Sequence, residues 1–65
     1  MDKLTLKIRL DLVTEEIEIY KKNAIQHIEK EEMIPATGDV LLMRDLKEQQ
    51  CLLKRLLESE DKQWN

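Results

Sequence analysis

Several groups of residues in this chain have types and spacings that invite chemistry. His27 and Glu31 stand four apart, one helical turn, where an imidazole and a carboxylate can share a metal ion. Two ligands do not make a zinc site, and a partner chain would have to bring the others. Cys51 is a candidate nucleophile, with His27 as its base, but no oxyanion-hole loop accompanies it, so a buried or half-buried structural thiol is expected. Gln49 and Gln50 interrupt a run of leucines, which fits either a buried polar layer with Tyr20 that fixes register and oligomer number or two solvated glutamines at the edge of the stripe. Lys21, Lys22 and Asn23, with Lys30, form a strip suited to phosphates. Glu18, Glu29, Glu31 and Glu32 crowd the same segment and mark it as a solvated charged face. A single glycine leaves no material for a phosphate-cradling loop. The expectation is a non-enzymatic protein with no catalytic, cofactor or metal site.

The elements that must position these residues are few. A chain of 65 residues builds one small domain, and such domains bury so little surface that they need a staple or a partner. Cys51 is the lone cysteine, so no intrachain disulfide supplies the staple, and a reducing cytoplasm is the expected setting. Self-association is then the expected source of further burial. Eleven basic and fourteen acidic residues, net −3, argue against a generally polyanion-seeking surface. No run approaches the roughly 18 to 20 apolar residues of a membrane span.

The punctuation lies in "MIPATGD", Met33 to Asp39. Pro35 disfavours helical geometry before it, Gly38 frees the backbone, and Thr37 or Asp39 can cap a second helix. The expected organisation is one domain over residues 1–65: a helix from about 3 to 33, a turn at 34–38, and a helix from about 39 to 62. With the turn centred near Ala36, His27 would face Asp45, and Tyr20 and Asn23 would face Gln49 and Gln50. The first nine residues would overhang and complete a partner's core.

The opening segment, "KLTLKIRLDLV", supports two readings. Leu4, Leu6, Ile8, Leu10 and Leu12 alternate with polar residues, the period of a half-buried strand, and Thr14 would then cap the first helix. Four of those five apolar residues are leucine, a stronger helix former than strand former. A second ladder, Leu6, Leu10, Val13, Ile17, Tyr20, Ala24 and His27, runs through Thr14 at spacings of 4 and 3 without a phase break. The helix is the preferred reading. It leaves Leu4, Ile8, Leu12 and Ile19 as a second apolar stripe opposite the first. In the second helix Leu42, Leu46, Leu53 and Leu56 define the stripe, with Gln49 on the missing rung. The expected self-association set is therefore Leu4, Leu6, Ile8, Leu10, Leu12, Val13, Ile17, Tyr20, Leu42, Leu46, Gln49, Leu53 and Leu56.

On the strand reading, "LTLKIRL" resembles the first element of ribbon-helix-helix repressors. That resemblance implies a dimer that reads the DNA major groove with Thr5, Lys7 and Arg9. "DVLLMRDL", Asp39 to Leu46, is similar to the start of the second helix in the hairpin phosphatases that switch off sporulation response regulators. That family's Ser and second Asp have no counterpart here, so the resemblance implies the hairpin shape alone.

The sequence thus predicts an all-α antiparallel helical hairpin that self-associates into a bundle, as a homodimer or larger. Its expected function is that of a small regulator, adaptor or inhibitor that binds another protein through helical surfaces, with no membrane or nucleic-acid partner. The alternative is a strand followed by two helices, a dimeric DNA-binding repressor or antitoxin.

Overall fold

A computed structural model describes residues 2–63, with side-chain surroundings for residues 2–59. The chain forms two packed antiparallel helices, α1 over Lys3–Glu29 and α2 over Met33–Gln63. Together they make a rod 52 Å long and 14 by 13 Å across.

The opening segment is helical from Lys3 onward, which overturns the strand alternative. Asp2 is the N-cap: its carboxylate accepts from the Thr5 amide at 2.7 Å and satisfies one of the free N–H groups of the first turn. That bond holds the Asp2 carboxyl below the usual carboxylate range. Thr14 caps nothing. It sits in mid-helix with its hydroxyl donating to the Leu10 carbonyl at 2.8 Å, while Gln50 donates to the same hydroxyl at 3.0 Å from α2.

The turn falls at residues 30–32 rather than at 34–38. Lys30 ends α1, and Glu31 takes a left-handed backbone, φ 61°. The Glu32 amide then reaches the His27 carbonyl at 2.8 Å and the Glu31 amide reaches Ile28 at 3.0 Å, the paired bonds of a Schellman cap. Glycine usually fills that left-handed position; here glutamate holds it. Pro35 reads differently once the turn is moved. It lies in the first turn of α2, where its missing N–H has no helical acceptor to lose, and it therefore starts the helix instead of ending one. Thr37 and Gly38 lie inside α2, and the Thr37 hydroxyl donates back to the Met33 carbonyl at 2.8 Å.

Moving the turn changes the register. His27 meets Asp39 instead of Asp45, and Thr14 meets Gln50. The predicted overhang disappears, since α2 runs long enough to cover the start of α1. Leu6, expected to wait for a partner chain, has 1% of its surface exposed and is the most thoroughly buried of the large side chains described.

The seam is one ladder from each helix. On α1 Leu6, Val13, Ile17 and Ala24 are buried, with Leu10, Tyr20 and His27 half-buried between them. This is the ladder the sequence predicts, rung for rung. On α2 the inward rungs are Ala36, Asp39, Met43, Leu46, Gln50, Leu53 and Leu57, again at spacings of 3 and 4. Val13, Ile17 and Leu46 form the centre of the core, with Tyr20 and Leu53 packed against them.

Candidate interaction surface

A two-helix seam has a limited capacity for burial, and the apolar side chains exceed it. Among the described residues six hydrophobic side chains are buried and thirteen large ones are exposed, so most of the apolar surface faces outward. Leu4, Ile8, Leu12 and Ile19 are all more than half exposed, as the phase of the second α1 stripe requires. Leu41, Leu52 and Leu56 are likewise more than half exposed on α2, and Leu42 is exposed to 44%.

The predicted self-association set therefore divides. Leu6, Val13, Ile17 and Leu46, with Leu10, Tyr20 and Leu53, are engaged within one hairpin. Leu4, Ile8, Leu12, Leu42, Gln49 and Leu56 point outward. Leu42 and Leu56 were expected on the seam, and the rungs belong instead to Met43 and Leu57. The glutamines exchange roles in the same way: Gln50 faces α1 and Gln49 lies outside. Tyr20 joins the hydrophobic core, and the polar cross-seam bond at this level runs from Gln50 to Thr14.

At 100° per residue the two flanks of the seam have different characters. Arg9, Leu12 and Glu16 of α1 meet Gln49 and Leu52 of α2 along one flank, where they line an open groove of about 470 Å³ floored by Val13 and Leu53. The other flank carries Lys7, Glu18 and Lys21 of α1 and Lys47, Lys54 and Glu58 of α2, all exposed. A shallow depression on that flank is lined by α2 residues, among them Val40, Met43, Lys47 and Cys51.

The candidate chemical residues do not assemble into a reactive centre. His27 Nδ1 lies 2.6 Å from Oδ2 of Asp39, a part-buried pair that closes the turn end of the seam, and this is a different carboxylate from the predicted Glu31. Among the described residues no three His, Cys, Asp or Glu side chains gather where a metal ion would be held. The Cys51 thiol is exposed rather than structural, and it lies about 18 Å along α2 from the level of Asp39, out of reach of His27. Thr5, Lys7 and Arg9 share a face only on a strand; on α1 each is turned about 200° from the next, which removes the DNA-reading row. Arg44 and Glu48 form the exposed ion pair their spacing predicts, 3.9 Å apart.

The sequence reading places Met43 and Leu57 at the margin of the stripe and leaves Gln49 and Gln50 undivided, and it misses the inward places of Ala36 and Asp39. The signal for those two is the 3-and-4 ladder of α2 continued back toward Pro35, which reads as a break.

These features define a class: an all-α hairpin with a narrow internal seam and extensive apolar surface outside it. Among the described residues no helix is long and apolar enough to cross a membrane. The chain matches no family model, and no curated protein or solved structure matches it either.

Proposed function

We propose that this is a small non-enzymatic regulator or adaptor that works by binding protein, both a copy of itself and a second protein, through helix-on-helix docking. The observation that carries the reading is the excess of exposed over buried large apolar side chains, because patches of this kind mark interaction sites in small proteins. Ile8 and Leu41, on the outer edges of the two helices, suit a heterologous helix, and Leu4 extends the same surface. The residues able to do chemistry support a binding role: His27 is bonded across the seam to Asp39 and Cys51 stands apart from it. An exposed thiol agrees with a reducing cytoplasm.

The test uses Ile8→Glu and Leu41→Glu, two exposed positions where substitution leaves the seam intact. Both variants should keep the helical circular dichroism and melting temperature of the wild type. Both should lose a protein that the wild type retains, identified by mass spectrometry and rebound in purified form. Retention unaffected by either change sinks the proposal. Duplex DNA binding that weakens steeply with salt would point instead to a nucleic-acid protein.

A further inference from the structure

We infer that a second copy of this chain docks on the groove flank, antiparallel to the first and related to it by a two-fold axis that passes beside Gln49. The inference rests on the self-association reading and adds the face, the register and the symmetry.

Composition selects the face. The flank with Lys7, Lys21, Lys47 and Lys54 also carries Glu18 and Glu58, so a symmetric contact there would have to desolvate many charges, most of them positive. The groove flank is apolar at Leu12 and Leu52, and its charges at Arg9 and Glu16 are of opposite sign. The groove flank has fewer charges to desolvate, and those at Arg9 and Glu16 can pair with each other across the contact.

Register comes from a palindrome. On this flank α2 presents Leu42, Gln49 and Leu56 at intervals of seven, two exposed leucines equally spaced about an exposed glutamine. An antiparallel copy of α2 centred on Gln49 sets each Leu42 against the partner's Leu56, and the two Gln49 amides against each other. A primary amide carries both donors and acceptors, so a glutamine can bond to its own image across a two-fold axis. The same axis has to suit α1. The Gln50–Thr14 bond places Thr14 at the level of Gln50, and Arg9, Leu12, Glu16 and Ile19 are spaced symmetrically about residue 14, about 1.5 Å along the helix from the level of Gln49. Leu12 then meets the partner's Glu16 stem, and Arg9 extends one turn to the partner's Glu16 carboxylate, twice by symmetry.

The extent of overlap agrees. The axis lies near the middle of both helices, so the two rods overlap along almost their whole 52 Å. A strip that long and 14 Å wide covers on the order of 700 Å² per copy, close to the roughly 800 Å² per partner of a standard stable interface. The product is an antiparallel four-helix bundle in which Ile8 and Leu41 remain on the outside for another protein.

Sedimentation equilibrium on the full chain and disulfide trapping test this together. The wild type should sediment as a dimer. Gln49→Cys in a Cys51→Ser background should form a disulfide-linked dimer under mild oxidation at least about tenfold faster than wild-type Cys51, which lies on the other side of α2. Arg9→Glu and Glu16→Arg should each weaken the dimer about tenfold, and the double exchange should restore it. A monomer at high concentration overturns both this inference and the self-association reading. A dimer in which Gln49→Cys does not cross-link preferentially, or in which the double exchange fails to restore affinity, overturns the inference while the self-association reading stands.

Discussion

The two ends of the hairpin are held by different physics. Away from the turn, Leu6, Val13, Ile17 and Leu46 bury aliphatic surface, and dispersion and hydrophobic transfer stabilise the contact. Near the turn the inward rungs are Ala24, His27, Ala36 and Asp39: two small residues that let the backbones approach, and one hydrogen-bonded polar pair. The distal end supplies most of the stability, whereas the turn end sets the alignment. A His–Asp pair is satisfied in one register, while a leucine tolerates several.

The contrast is open to breaking, beginning where the effect is largest. Leu6→Ala removes the most buried large side chain described and should lower stability by about 2–4 kcal/mol in urea denaturation. An effect below about 1 kcal/mol would mean that the distal seam is looser than its burial indicates. Asp39→Ala leaves the half-buried His27 ring nitrogen without its partner and should cost about 1–2 kcal/mol, with Asp39→Asn retaining most of the stability by keeping an acceptor in place. Equal losses for Ala and Asn would indicate that packing, not the hydrogen bond, matters there.

Two changes at the turn end should raise stability. Gly38 lies inside α2 with open space around its missing Cβ and no positive φ, so Gly38→Ala should add about 0.5–1 kcal/mol in thermal melts. Glu31→Gly relieves a left-handed backbone and should add about 0.5–1 kcal/mol, or less where glycine's extra freedom in the unfolded chain offsets the gain. The smallest effect concerns Asp2. Its folded-state carboxyl titrates below the unfolded one, so its contribution is complete above the unfolded value and is lost as pH falls through the lower folded value. The protection factor of the Thr5 amide, its exchange rate set against the intrinsic rate at the same pH, should accordingly fall in acid and in Asp2→Ala, with the rest of the helix unchanged.

How well the sequence reported this fold differs between the two helices. The α1 ladder could be read from periodicity because its rungs are apolar from Leu6 to Ala24 and hold one phase past Thr14. The strand-like alternation of Leu4 to Leu12 was also real, but it arises from two helical stripes on opposite faces overlapping in sequence. In α2 the inward rungs include Asp39 and Gln50, whose burial depends on partners in α1 that a pattern of leucines does not reveal. The turn was misplaced for a local reason. Proline and glycine are the usual breakers, yet here Pro35 and Gly38 are both helical, and the reversal is carried by Glu31, a residue with little intrinsic preference for it. The outward stripe was legible as periodicity, and its exposure reflects a seam with room for one stripe from each helix.

The three-residue reversal at Lys30 to Glu32 also bears on how the chain assembles. His27 and Asp39 are 12 residues apart, and Thr14 and Gln50 are 36 apart. Closing the shorter loop first is favoured by about 1 kcal/mol of chain entropy, since the cost rises with the logarithm of loop length. Each further rung then requires only a small additional increment, and the hairpin zips outward with a low contact order. The first contacts to form are thus the polar ones beside Glu31, and the leucine that anchors the finished structure docks among the last. Substitutions near the turn should therefore act mainly on the folding rate, and those at Leu6 mainly on the unfolding rate.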